Sequence, residues 1–179
     1  MRNGLGLARG VALGETKGAG RVKPEITTPA LRPPEDDRLM TRPRIAPYLT
    51  VTPAAAAIAF YTAAFGAKQR ALMPAVDGLR IEHCELLING GSVMLADAFL
   101  ELGQTRQPIP GDPATVSVSL EYDSAKDVDD LCARAASLGA KIETQPVNSF
   151  WGTRFATLRD PFGHRWILNA PLDKGTSEA

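Results

Sequence analysis

Phe150-Trp151-Gly152-Thr153-Arg154-Phe155, followed after a short alternating run by Asp160-Pro161-Phe162-Gly163-His164-Arg165-Trp166, places a turn signal between two strand-like segments. Asp160 suits the first position of a type I turn, Pro161 brings the fixed φ of the second, and Gly163 supplies the positive φ that closes a bulged hairpin. The stretch reads as a β-hairpin ending a sheet. It holds both tryptophans of the chain, and Trp151, Phe155 and Trp166 read equally as core aromatics or as residues facing a ligand.

Upstream, residues 116–122 read as a strand. Val128, Leu131, Cys132, Ala135 and Leu138 then form a helical stripe that Ser124 or Asp123 can cap and Gly139 ends. The same order occurs earlier in the chain. Residues 45–51 read as a strand, and Thr52 offers an N-cap hydroxyl with Pro53 at the first helical position. Ala54, Ala57, Ile58, Tyr61, Ala64 and Phe65 make one apolar face, closed by Gly66. Strands follow at 68–73, 81–88 and 92–96, the last after the hairpin signal Asn89-Gly90-Gly91. Leu138-Gly139-Ala140-Lys141 is the counterpart of Phe65-Gly66-Ala67-Lys68, and three short strands follow each.

The fold expected is therefore α+β, two βαβββ modules forming curved mixed sheets around a cavity, each sheet covered by its helix on the other face. The modules span 45–98 and 115–170 within a domain of 44–172, and the Gly-, Gln- and Pro-rich stretch 102–113 links them. Residues 1–43 lack any sustained period and read as a disordered tail, as do residues 173–179.

With 179 residues the chain has room for one domain with a substantial core and a tail. Twenty basic residues balance twenty acidic ones, so no long-range field favours nucleic acid or an anionic membrane. No apolar run approaches the roughly 20 residues that span a bilayer. Cys84 and Cys132 sit at apolar positions without Cys-x-x-Cys spacing, which points to buried free thiols in a reducing compartment and hence a cytoplasmic location. Gly4, Gly6 and Gly10 follow no strand and open no helix, which excludes a phosphate loop, and the glycines around Arg2 and Arg9 break up any targeting segment.

Several of these elements together resemble the vicinal oxygen chelate superfamily, the glyoxalase, bleomycin-resistance and extradiol-dioxygenase group. They are the paired modules, the run Ala59-Phe60-Tyr61-Thr62-Ala63-Ala64-Phe65-Gly66-Ala67, the strand Ile81-Glu82-His83-Cys84-Glu85-Leu86, the Phe150-Trp151-Gly152 element and Asp160-Pro161-Phe162-Gly163-His164-Arg165-Trp166. Within the superfamily the chain is most similar to the branch called PhnB-like, over about residues 45–172. The resemblance implies a homodimer that holds a small-molecule ligand in the sheet cavity. Metal-using members take His, Gln or Glu ligands from the first and last strands of each module. By strand register those positions fall here at Ala46, Leu95, Ser117 and Ile167, and a one-residue slip brings up Pro47, Ala96, Val118 and Leu168 or Trp166. Ser117 offers only a weak neutral oxygen, so no metal cofactor is expected at the usual place, and with it goes the family's Lewis-acid chemistry.

Strand alternation sends His83 and Glu85 to the cavity face, away from Cys84, Leu86 and Ile88. These two are the candidate catalytic pair, a base or cation site set against an ordinary solvated strand face. The candidate ligand-binding residues are Tyr48, Asp97, Ser117, Ser119, Glu121, Trp151, Arg154 and Phe155, with Thr50 beside them. Arg154 between Trp151 and Phe155 reads either as a clamp for an anionic or planar ligand or as half of an internal ion pair. His164 reads as a structural hydrogen-bonding residue. Two functional classes remain open. One is a metal-independent binder or carrier. The other is an enzyme, either a glyoxalase-like lyase or related metal-assisted enzyme with a non-standard site at His83 and Glu85, or a metal-free one using His83 as base.

Met40 stands directly before the first strand-like segment, so synthesis is expected to start there. Intact mass of the native protein checks this, and a species beginning at Met1 would refute it.

Overall fold

The computed structural model describes residues 45–109 and 111–172, so the expected tails lie outside the described residues. The element order is β1 Tyr48–Val51, α1 Ala54–Phe65, β2 Lys68–Pro74, β3 Ile81–Ile88, β4 Gly91–Asp97, β5 Ser117–Glu121, α2 Ala125–Ser137, β6 Lys141–Asn148, β7 Thr153–Arg159 and β8 Arg165–Pro171. A short 3-10 turn over Leu100–Leu102 opens the connection between the halves. Each half is βαβββ. The strands form two four-stranded sheets, ordered β1-β4-β3-β2 and β5-β8-β7-β6, in which only β1–β4 and β5–β8 are parallel. No described helix is long and apolar enough to cross a membrane.

The helix boundaries follow from local chemistry. Gly66 ends α1 in the left-handed conformation that a Cβ would disfavour, and its N–H returns to Thr62 O. Ser124 caps α2 by accepting from Asp127 N–H. At the start of α1 the expectation fails. The helix begins at Ala54, Thr52 turns its hydroxyl onto Val51 O, and the buried Asp97 carboxylate at the end of β4 accepts from Ala54 N–H at 2.9 Å and Ile81 N–H at 2.8 Å. A cap supplied from across the fold left no local sign. β1 is also shorter than the run 45–51, because Pro47 has no N–H for a ladder and Ile45 is 90% exposed.

One core serves both halves. Leu49, Val51, Leu86 and Leu95 from the first sheet join Leu120, Leu158, Trp166 and Leu168 from the second, with the buried faces of both helices between them. Phe60, absent from the six-residue stripe expected, is buried beside Tyr61, which broadens the apolar arc of α1, since α1 packs on α2 as well as on its own sheet. Arg134 of α2 donates Nε–H to Ala64 O at the end of α1.

The hairpin between β7 and β8 supplies the centre of this core. Asp160 N–H donates to His164 O and Gly163 N–H to Asp160 O, the pattern expected of a type I turn with a bulge. Asp160 is buried. Its Oδ1 accepts from the N–H groups of Phe162 and His164, and its Oδ2 accepts from Tyr61 OH at 2.7 Å and Trp166 Nε1–H at 2.8 Å. Gly163 has φ 93°, and a Cβ there would come 2.9 Å from Pro108, so only glycine suits both the turn and the loop lying over it.

Tyr61→Phe removes one of the four donors and leaves its shape, so unfolding in urea is expected to show a loss of about 1–2 kcal/mol. Asp160→Ala strands the Tyr61 hydroxyl, the Trp166 N–H and two turn amides together, and its loss is expected to exceed about 3 kcal/mol.

Candidate functional site

Pairing registers sort each sheet into two faces. In the first, Tyr48 lies beside Met94 and Glu85, and Thr50 beside Ala96, all turned away from the core. In the second, Ser117, Arg165 and Arg159 form one row, Ser119, Ile167 and Thr157 the next, and Glu121, Asn169 and Phe155 a third. β1 and β5 are edge strands of the two sheets; no ladder joins them, and both border one seam. Side chains from equivalent turns tie it at each end: Asn89 Nδ2–H donates to Glu121 O, and His164 Nε2 lies 3.0 Å from Thr50 O. The two core-averted faces together form an open trough. At the seam the chain connecting the halves covers a cavity of about 650 Å³, lined by β1, Thr105, Gln107, Pro108, Val116, His164 and Arg165 among others.

His83 is half-buried in the trough, with Nδ1 3.1 Å from Tyr48 Oη. Burial, and then the charge of Glu82, raise the Tyr48 pKa, so the phenol is neutral at physiological pH. Glu85 shares the face but is 4% exposed. It accepts from Ser92 Oγ at 2.6 Å and lies 3.6 Å from Arg70 Nη1, so it is held by those partners and makes no hydrogen bond to His83. Ser119 and Asn169 both donate to Glu121, and Trp151 stands edge-on to Phe155 with ring centroids 5.4 Å apart. The structure thus brings Tyr48, His83, Glu85, Ser117, Ser119, Glu121 and Phe155 to the trough face, with Trp151 in the turn at its end.

Two expected residues are elsewhere. Asp97 pairs in register with Val51 and faces the core, where it caps α1. Arg154 pairs with Ala170 on the helix-facing side, with Nη2 2.8 Å from Asp129 of α2 and Nη1 donating to Asn148. Of the two readings of Arg154, the internal ion pair is the one observed, because the position after Thr153 alternates away from the trough.

Sequence reasoning missed a charged cluster in the first row of the second sheet. Glu143 Oε1 accepts from Arg159 Nε–H at 2.9 Å and its Oε2 from Arg165 Nε–H at 2.8 Å; Arg165 Nη1–H reaches Ser117 Oγ at 3.0 Å. Burial acts to raise the Glu143 pKa, but the hydrogen bonds from Arg165 and Arg159 outweigh it and hold the carboxyl below its ordinary value. The signal was available: if Trp166 and Leu168 are core residues, alternation puts Arg165 on the trough.

The expected metal positions divide between the two sheet faces. Leu95 is fully buried and registers with Leu49 and Cys84 on the core side, so the register assumed for β4 is off by one residue. Its trough-facing neighbours Met94 and Ala96 provide one soft thioether and a methyl group. Ile167 and Ser117 do face the trough, without a carboxylate or imidazole between them. Among the described residues no three His, Cys, Asp or Glu side chains converge on a point that would hold a metal ion. These side chains do not fit the divalent metal used elsewhere in the superfamily. Cys84 and Cys132 are buried free thiols with pKa values pushed by burial to about 11, and neither is a nucleophile at neutral pH.

Two βαβββ modules on a shared core, with an open trough across their seam, define a class of two-module α+β proteins. The chain belongs to the Glyoxalase/Bleomycin resistance protein/Dioxygenase superfamily, whose profile matches residues 43–168. An uncharacterised protein of Mycobacterium bovis is 37% identical over 134 residues, covering 73% of this chain and 84% of that protein. A Pseudomonas aeruginosa protein of known structure has TM-score 0.58 at 25% identity, covering 72% of this chain and 98% of its own. A PhnB protein from Bacillus cereus shares the fold with TM-score 0.57 at 18% identity, covering 72% and 99%.

Because Arg154 serves α2 and not the trough, Arg154→Ala is expected to cost no more than about 1 kcal/mol of stability by urea titration and to leave ligand affinity unchanged. A large loss of affinity with stability intact would return Arg154 to the binding site.

Proposed function

We propose that this protein is a PhnB-like small-molecule binder of the superfamily, a cytoplasmic homodimer that takes an organic ligand into its trough without the divalent metal used by other members. The observation that carries the reading is the cavity of about 650 Å³ at the seam, with largely apolar walls and a few convergent polar groups from Thr50, Thr105, Gln107 and Arg165. That size and lining suit a metabolite or drug-sized molecule. The donor-poor strand positions support a metal-free mode of binding. Large apolar side chains left exposed at and near the trough support a homodimer in which a second copy covers this face: Tyr48 is 53% exposed, Trp151 53%, Val147 47% and Phe150 97%. The two buried free thiols fit a reducing compartment.

A second reading rests on the contact between Tyr48 and His83. A neutral phenol beside an imidazole in the trough can serve as an acid–base pair, and this would make the protein a lyase-like enzyme of the same family. Glu85 would then position Arg70 and Ser92 and not take the proton itself.

A thermal-shift screen of metabolites and antibiotics on protein purified without chelator tests the proposal. A ligand at about one hundred times its Kd is expected to add about 2.7 kcal/mol of stability, unchanged by EDTA. Stoichiometric zinc, nickel, manganese or iron that is lost on His83→Ala would overturn the metal-free reading. Turnover of the ligand, abolished by His83→Ala, would establish the second one.

A further inference from the structure

We infer that the seam cavity selects organic monoanions, specifically carboxylic acids with an apolar body and a hydrogen-bond donor, and that Arg165 is the residue that anchors the acid. The inference rests on the binding reading above and adds the chemistry of the ligand.

Arg165 is the first residue of β8, and the burial of Trp166, Leu168 and Ala170 behind it turns it to the trough. Its guanidinium is fixed from two sides, by Glu143 through Nε and by Ser117 through Nη1, and it lines the cavity. No described residue takes its second terminal nitrogen, Nη2. A guanidinium already locked by neighbours loses little freedom when it binds, and its planar fork matches a carboxylate.

The charge count points the same way. Arg159 and Arg165 share the one carboxylate of Glu143, which its low pKa keeps ionised, so the three groups carry one net positive charge. The other charged residues lining the cavity, Arg106 and Asp112, are of opposite sign. A single positive charge in a mainly apolar enclosure is matched by a monoanion, and the charge-assisted bond is stronger there than in water. A doubly charged phosphate or phosphonate would bring one uncompensated charge.

The rest of the lining sets the body of the ligand. Pro47, Leu49, Pro108, Ile109, Val116 and Val118 form apolar walls. Among them Gln107 Oε1 is buried and accepts no hydrogen bond among the described residues. A buried acceptor of this kind calls for a donor, and a ligand hydroxyl or N–H in the cavity would provide it.

Isothermal titration of the full-length protein with a panel of aryl- and alkyl-carboxylates tests the inference. Each acid is paired with its carboxamide, its phosphonate and a hydroxylated analogue. The best acid is expected to bind about tenfold or more tightly than its amide and its phosphonate, with affinity falling as salt rises. Arg165→Gln should abolish the preference for acid over amide, Arg165→Lys should restore part of it, and Gln107→Leu should remove the gain from the added hydroxyl. Near-UV circular dichroism checks that each variant is folded, and the acid–amide and salt comparisons on the unaltered protein stand whether or not the variants fold. Equal binding of acids and amides overturns the inference and leaves the binding reading intact. Binding by neutral library compounds without any acid binding does the same, and binding by neither class overturns both. Tighter binding of the phosphonates would reassign the site to dianions.

Discussion

A single buried carboxylate organises this protein. Asp160 closes the β7–β8 turn with one oxygen and with the other takes hydrogen bonds from Tyr61 on α1 and Trp166 on β8. Three residues from the second module and one from the first therefore converge on one buried carboxylate. A buried charge is tolerated only when its hydrogen-bonding capacity is filled, so the turn, the first helix and the last strand are bound to one arrangement. The effect is mutual, since burial, and then the charge and hydrogen bond of Asp160, push the Tyr61 pKa well above its ordinary value and keep it a donor. The rings of Tyr61, Phe65 and Trp166 pack around the contact, so the polar centre sits inside an apolar one.

This constraint faces both sheets the same way. With the helices and Asp160 on one side, the opposite faces are covered in part by the chain that connects the halves, and the trough is what remains. Its polar residues divide by how firmly they are held. Glu85 and the Glu143 cluster are tied by charge-assisted bonds, whereas His83 and Tyr48 have mainly each other. Preorganised charge suits selection of a ligand, and a loosely held imidazole suits proton transfer, which is why the binding and enzymatic readings draw on opposite sheets.

Much of the fold was legible because its signals are local. Gly66, Ser124, Asn89-Gly90 and the Asp160-to-Gly163 turn each end or cap an element through contacts within a few residues, and all four do so here. Which residues face the trough was legible only where one-residue alternation governs it, as for His83, Glu85, Ser117 and Ser119. Asp97 was misplaced because its cap reaches Ala54, 43 residues away, and Arg154 because its partner Asp129 lies on α2. The β4 metal position slipped by one residue, and in a strand that is enough to exchange the core face for the trough.

The sequence by itself determined the two βαβββ modules and the hairpin that ends them, because periodicity and turn chemistry act residue by residue. Only the tertiary structure decided which carboxylates are structural, which arginines share Glu143 and where the seam cavity lies. Those outcomes depend on which strand edges and helix faces meet, and a burial cost or hydrogen bond between residues far apart in the chain has no value until the fold has brought them together.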